Sequence, residues 1–371
     1  MLRGFFKFLN IAALIVLLAS CMATHIEPQK YWQLAFIGFA FPVVLIVNFF
    51  FLLLWILKRD AFGLISLVSI ALTYTFVQSS FATNFREENK EEGVKLMTWN
   101  VKNFDLYDWN KHKQTRKEMF QFIENENPHI LCMQEFFSDN KHLNNEKYLT
   151  DTLGYAYHYF QPTTSLDKKY KSKAWEKKIK NDTIHRKWGV AIFSKYKIIS
   201  TGRIDFENSK NNDCIYADIE IDGKPLRVYA VHFQSIYLGR SDYAVLDSLE
   251  ETQKTQWTSL KNILRKMKWA YTKRAQQANA VAESINQFSG PKILCGDFND
   301  VPVSYTYATA KGNLKDAFVI KGKGFGTTYA NRFSIFRIDY ALFDAQIKIN
   351  SYKTVRRNLS DHYPVITTFS M

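Results

Sequence analysis

From Phe41 to Leu57 the chain carries no charged residue, and Phe49, Phe50 and Phe51 stand in a row. This run constrains the fold more than any other feature, because a helix that is apolar on every face must be buried in a core or in a bilayer. It lies in the second of three apolar runs near the N-terminus, at about 8–23, 32–57 and 61–77. Crossing a bilayer takes roughly 20 apolar residues; the second run meets that length, and the first and third lie at its short end. A cleaved signal peptide followed by buried core helices is the competing reading, and the length of the second run argues against it. Residues 1–82 are therefore expected to form a membrane anchor of two to three transmembrane helices, with residues 83–371 as a separate water-soluble domain.

Charge gives the anchor an orientation. Arg3 and Lys7 precede the first run, and Lys58 and Arg59 occupy the turn between the second and third; such residues stay on the cytoplasmic side. With three spans the remainder lies outside the cytoplasm, on the periplasmic side of a bacterial inner membrane; with two, the placement reverses. Leu18-Ala19-Ser20-Cys21 also resembles a bacterial lipoprotein processing box, which would put a lipid on Cys21, but so short a pattern arises easily by chance in an apolar helix.

Residues 1–82 hold five of the chain's 49 basic residues and two of its 35 acidic ones, so the remainder carries 44 against 33, a net +11. A basic domain beside a membrane favours phosphate-bearing partners, either nucleic acid or anionic lipid head groups; the sequence points to no protein partner. Much of the excess lies in Lys168, Lys169, Lys171, Lys173, Lys177, Lys178 and Lys180, a run whose better reading is a solvated flexible loop. Outside the anchor, Cys132, Cys214 and Cys295 are odd in number and widely spaced, which speaks against a disulfide framework or a zinc site. They are expected to be free thiols with a packing role.

Beyond residue 83 strands and helices alternate, which makes the class α/β. Lys95 to Val101 reads as a strand, Lys113 to Asn125 as a helix with Met119, Phe122 and Ile123 on one face, and Ile130 to Gln134 as a strand after Pro128. Further strands are expected at 189–193, 214–221 and 226–233, the last two joined by the turn Asp222-Gly223-Lys224. Ser241 to Phe288 reads as helical, and strands resume at 292–294, 337–343, 345–353 and 364–369.

Polar residues interrupt this pattern mostly at strand ends. Asn100 ends one strand, Glu135 another and His232 a third; Asp297 and Asn299 close Ile293-Leu294-Cys295-Gly296, Asp339 interrupts Ile338 to Leu342, and Asp361-His362 precedes the last strand. Any one of them could be a cap or turn residue. Together, at the rim of one sheet, they have a chemical logic. Glu135, helped by Asn100 and Asp361, offers the hard oxygen ligands that Mg²⁺ prefers. Asp297 can orient or deprotonate a water, Asn299 and His232 can bond phosphate oxygens, and Asp339 can fix the tautomer of His362. Such a set suits metal-assisted hydrolysis of a phosphate ester.

Thr98-Trp99-Asn100-Val101, Gln134-Glu135, Gly296-Asp297-Phe298-Asn299, Arg337-Ile338-Asp339-Tyr340 and Ser360-Asp361-His362 resemble, in order, the motif series of the endonuclease/exonuclease/phosphatase superfamily. The resemblance covers roughly Lys95 to Phe369. It implies a four-layer α/β sandwich of two mixed β-sheets flanked by helices, here preceded by the N-terminal transmembrane helices, and dependence on Mg²⁺ or Mn²⁺. By motif, Glu135 is the main metal ligand with Asn100 and Asp361 nearby, Asp297 and Asn299 serve the water and the phosphate, and Asp339 pairs with His362; the general base is left open between Asp297 and His362. Abasic-site endonucleases of the family tend to have tyrosine where this chain has His232, whereas deoxyribonuclease-like and sphingomyelinase-like members have histidine. Three readings follow: a membrane-anchored nuclease or phosphodiesterase, a lipid head-group phosphodiesterase, and a non-catalytic membrane-anchored binding module.

Overall fold

The structure, a computed structural model, describes residues 2–84, 92–106, 114–165, 185–207, 209, 212–237, 253–330 and 335–371. The basic run from Lys168 to Lys180 and the first part of the helical stretch from Ser241 lie outside these residues. The helices α1 (Leu2–Met22), α2 (Pro28–Phe39), α3 (Phe41–Leu57), α4 (Gly63–Leu72) and α5 (Tyr74–Ser80) come first. They are followed by β1 (Ala82–Thr83), β2 (Val94–Asn100), α6 (Thr115–Glu126), β3 (Ile130–Asp139), β4 (Tyr157–Ser165), β5 (Arg186–Ser194), β6 (Ile198–Ile204), β7 (Asp213–Ile221) and β8 (Lys224–His232). Then come α7 (Gln253–Gln287), β9 (Lys292–Asp297), α8 (Tyr305–Lys311), β10 (Lys315–Asp316), α9 (Ala317–Lys321), β11 (Lys323–Gly324), β12 (Asp339–Phe343), β13 (Lys348–Thr354) and β14 (Val365–Ser370).

The chain divides into two compact units. The first is Met1–Phe81 with Gln234–Ala282 and Asn299–Gly312; the second is Ala82–Phe233, Glu283–Phe298 and Asn313–Met371. In the first unit, α1 is long and apolar enough to cross a membrane by itself, whereas α2 with α3 and α4 with α5 reach that length only as pairs bent by 52° and 67°. Pro42 sits in the first turn of α3, where its missing N–H costs nothing and a new helix can start in a new direction. Polar side chains lie between these helices as well, and several of them are paired across helices. Asn10 of α1 donates to Ser66 Oγ of α4 at 2.9 Å and accepts from Trp55 Nε1 of α3 at 2.8 Å. In an apolar setting such inter-helix bonds fix which faces meet.

Among the described residues the second unit holds two six-stranded sheets, ordered β10-β12-β9-β8-β7-β6 and β13-β14-β2-β3-β5-β4, and a short two-stranded one of β1 with β11. β2 with β3 and β8 with β9 run parallel, and the other pairs are antiparallel, so both six-stranded sheets are mixed. Side chains alternate across each strand, and the core follows that alternation. Leu96, Ile130, Cys132 and Ile192 of one sheet pack against Ala217, Val228, Ile293 and Cys295 of the other. Met97, Trp99, Leu131 and Met133 point the opposite way, onto Met119, Phe122 and Ile123 of α6. On the outer face of the second sheet the Tyr229 hydroxyl meets Ser284 near the C-terminal end of α7. Helices thus flank two face-to-face sheets, the four-layer arrangement expected from the sequence. All four cysteines are free.

Several boundaries differ from expectation for local reasons. β3 does not stop at Gln134 but continues to Asp139 through a register break between Met133 and Phe136. β12 begins at Asp339, two residues later than expected, because Arg337 is drawn inward to Asp316 at 2.9 Å. β4 and β6 were not expected as strands: β4 contains Pro162, and β6 is a half-exposed edge with no clean alternation. The stretch after Ser241 contains one continuous helix over its described part, α7.

Candidate functional site

Five of the strands deliver the polar residues. β8 and β9 run parallel and pair His232 with Asp297, and β12, antiparallel to β9, pairs Asp339 with that same Asp297. Cross-strand neighbours share a face, so three candidate side chains stand side by side. From the other sheet, Asn100 ends β2 and Glu135 comes from the register break in β3. Glu135 has φ +49, a left-handed conformation that costs a non-glycine residue on the order of 1 kcal/mol; a bulge of this kind re-aims a side chain that regular pairing would send elsewhere. Asp361 and His362 precede β14, which pairs with β2 from Val365 to Thr98 onward.

Asp297 Oδ2 is the centre of the site. Asn100 Nδ2 donates to it at 3.0 Å, and His232 Nε2 and His362 Nε2 lie 3.7 and 3.8 Å away. Asn100 Nδ2 also reaches Glu135 Oε1 at 3.3 Å, while Asn100 Oδ1 accepts the Lys102 backbone N–H at 3.1 Å. In this geometry the amide nitrogen, rather than the oxygen, faces the carboxylates. His232 Nε2 is 3.8 Å from Glu135 Oε1. His362 Nδ1 is 2.9 Å from Asp339 Oδ2, which leaves Nε2 turned toward Asp297. Lys102 Nζ pairs with Asp361 Oδ2 at 2.8 Å. Asn299, two residues beyond Asp297, adopts φ +53 and belongs with segment 299–312 of the first unit.

Gly296 shows why the strand end is built from these residues. It has φ +136, and a Cβ there would lie 2.1 Å from the Val231 carbonyl oxygen. Only glycine lets β9 approach β8 this closely beside Asp297. Phe298 turns away from the site and is fully buried between Phe233 and Tyr340, with ring centres at 5.1 and 4.6 Å.

The electrostatics are those of a site short of positive charge. Burial pushes the Asp297 carboxyl up to about 6, with Asp339 adding to the rise and the two histidines and Asn100 opposing it. Burial and then Asp361 raise Glu135. Burial alone would raise Asp361 too, but His362 and Lys102 hold it below the ordinary carboxylate range. Burial works against a charged His362, yet Asp339 and Asp297 lift it well above the usual histidine value. Carboxylates that bind protons too readily are carboxylates a divalent cation would stabilise, and hard oxygen donors are the ligands Mg²⁺ and Mn²⁺ prefer. Glu135 and Asp361 are 35% and 33% exposed, which leaves room for waters in such an ion's shell. Among the described residues, one trio of His, Cys, Asp or Glu, namely Asp297, Asp339 and His362, has ligand atoms all within 4.8 Å of one another. Two of its atoms are committed to each other at 2.9 Å, so it fits a hydrogen-bonded dyad beside an acid better than a cage for a hard cation.

Sequence reading quoted Trp99 and Ser360 within the motifs but gave them no role, and it missed Thr328; these residues brace the set. Ser360 Oγ donates to the Asn100 carbonyl at 2.8 Å, Trp99 Nε1 to the His362 carbonyl at 2.9 Å, and Thr328 Oγ1 accepts the Asp339 N–H at 3.0 Å. Lys102 could have been noticed two residues after Asn100; Thr328 carries no local signal at all.

The profile of the Endonuclease/Exonuclease/phosphatase family matches residues 97–362, well over half of the chain. A second profile, a domain of unknown function, matches residues 3–80. No curated protein matches the chain. Among solved structures, the human Nocturnin catalytic domain with bound sulfate is similar at a TM-score of 0.52 and 18% identity, over 76% of this chain and 95% of that one. A mannosyl-6-phosphatase from Bacteroides thetaiotaomicron is similar at a TM-score of 0.50 and 16% identity, over 75% of this chain and all of its own. Both likenesses concern the fold.

Proposed function

Because the chain belongs to the endonuclease/exonuclease/phosphatase family, whose members hydrolyse phosphate esters, we propose that it is a membrane-held phosphodiesterase or nuclease dependent on Mg²⁺ or Mn²⁺. The observation that carries this reading is the convergence on Asp297 Oδ2 of Asn100 at 3.0 Å, His232 at 3.7 Å and His362 at 3.8 Å. Glu135 is assigned as the main metal ligand, with Asp361 beside it and Asn100 holding the carboxylate in place. When bound, the cation would polarise the phosphoryl group and offset its charge. Asp297 orients or deprotonates the attacking water, while His232 and Asn299 hold phosphate oxygens. His362, kept cationic and oriented by Asp339, turns its Nε2 toward Asp297, where it can donate a hydrogen bond or a proton to a phosphate oxygen beside that carboxylate. This uses Asp297 and His362 as a pair, with the base nearer Asp297.

The anchor reading is part of the same proposal. α1 and the two bent helix pairs are taken as three spans, which puts the catalytic unit outside the cytoplasm by the distribution of Arg3, Lys7, Lys58 and Arg59. The helices also favour a second substrate class, phospholipid head groups, which a membrane-held site meets at high local concentration. The full chain in detergent, incubated with Mg²⁺, supercoiled plasmid and phospholipid vesicles, separates the two. Nicked plasmid with intact lipid supports the nuclease; released head groups with intact plasmid support the lipid phosphodiesterase. An Asp297→Ala variant equal to wild type on both would overturn the site assignment.

A further inference from the structure

The segment that leaves the catalytic strand is held by the N-terminal helices. Val303 is 1% exposed and packs with Leu17 of α1 and with Phe41 and Leu45 of α3. Its backbone passes so close to α2 that a Cβ on Gly38 would lie 2.5 Å from the Val303 carbonyl oxygen and 2.6 Å from Ala23 Cβ. In the turn between α1 and α2, Glu27 Oε1 accepts from Asn279 Nδ2 of α7 at 3.1 Å, and the Tyr305 hydroxyl lies 3.1 Å from Glu27 Oε1 and 2.9 Å from Asn279 Oδ1. Ala35 of α2 packs with Ile263, Met267 and Tyr271 of α7. A plain tether would make none of these contacts.

Behind that cover lies a dry ion pair. Arg274 of α7 is completely buried; its Nε reaches Asp300 Oδ2 at 3.0 Å and its Nη1 donates to the Gln234 carbonyl at 2.9 Å. Thr306 Oγ1 also donates to Asp300 Oδ2 at 2.8 Å, and Gln277 Oε1 accepts the Gln234 N–H at 2.8 Å. Gln234 follows His232 by two residues and Asp300 follows Asn299 directly, so one arginine ties the exits of both functional strands. A buried pair of this kind holds its geometry only while water is kept away and every lone pair is used. Asn299, at φ +53, is held in a minority conformation that needs such support.

We propose that the N-terminal helices are a positioning element for the segment that carries Asn299, gripping residues 299–312 through Val303, Tyr305 and Glu27 so that the Arg274–Asp300 pair stays buried and Asn299 keeps its conformation. The effect on catalysis rests on the phosphate-binding role assigned to Asn299 above; the grip itself does not. The test uses the full chain in detergent micelles, with Glu27→Ala, Gly38→Val and Val303→Ala against wild type, and with Val303→Ile and Tyr305→Phe as mild variants. Amide hydrogen exchange is read over 299–312, with β2 as internal reference. Turnover is read with bis(p-nitrophenyl) phosphate. The expected result is exchange about 10-fold faster over 299–312 with β2 unchanged, a turnover lower by about 10-fold with KM within about 2-fold, and recovery in Val303→Ile. Should a severe variant fail to fold, Tyr305→Phe is read alone, with the same directions expected. Unchanged exchange over 299–312 would overturn the proposal whatever the activity, and faster exchange with normal turnover would overturn the positioning role. A wild-type chain inactive on the probe would count against the catalytic reading, leaving the exchange result to decide the grip.

Discussion

Asp297 is asked to hold a negative charge where the fold makes that expensive. Its folded value of about 6 against an unfolded 3.8 means that the neutral form is favoured in the native state. The stability this provides is complete below the unfolded value and is lost as pH rises through the folded one, so at neutral pH the metal-free protein carries an unfavourable charge. Asp297→Asn should therefore raise the melting temperature of the metal-free chain at pH 7.5, by an amount worth on the order of 1–3 kcal/mol, with the difference vanishing below about pH 4. A calorimetric pH series checks this, and an unchanged melting temperature at pH 7.5 would contradict the burial argument. His362 is the opposite case: its raised value contributes stability below the ordinary histidine range that is lost as pH climbs through the folded one. In Asp339→Asn the dominant support at 2.9 Å is removed. The His362 titration, followed by NMR, should move to lower pH and turnover should fall by roughly 10²-fold or more.

At the scale of elements, the site depends on how strands end. Gly296→Ala would force a Cβ against the Val231 carbonyl oxygen and separate the β8–β9 pair that aligns His232 with Asp297. It should destabilise the protein by on the order of 2 kcal/mol or more, measured by urea denaturation. Glu135 stands at the break in β3, and Glu135→Gln should weaken Mn²⁺ binding by about 10-fold or more, read by isothermal titration; unchanged binding would remove Glu135 from the metal site. Much of this was legible beforehand, because each motif couples an apolar run to a polar residue at its end. The runs at 96–99, 130–133, 228–231 and 293–295 are buried on both faces, so their ends fall together at one rim. What was not legible depended on contacts distant in sequence. The register break that turns Glu135, the bracing of Asp339 by Thr328 and the pairing of Lys102 with Asp361 leave no periodic trace. β4 and β6 were lost for a simpler reason: Pro162 and the half-exposed face of Ile198–Ile204 carry no strand alternation.

At the scale of the molecule, the sequence reads as an anchor followed by an independent domain, divided near residue 82. The compact units group residues 1–81 with 234–282 and 299–312, so the N-terminal helices share a unit with the segment that follows Asp297. A periplasm-active reporter fused after Ala82 should give signal if all three segments span, and activity confined to a cytoplasmic reporter would overturn that topology. Metal-assisted hydrolysis centred on Asp297 is the chemistry proposed for the whole molecule. The most direct measurement is hydrolysis of bis(p-nitrophenyl) phosphate by the full chain in detergent, wild type beside Asp297→Ala, with Mg²⁺ and after its removal by EDTA. Wild-type turnover is expected to require the cation and to fall by about 10²-fold or more in the variant. Equal hydrolysis by the two proteins, or wild-type turnover indifferent to EDTA, would contradict it.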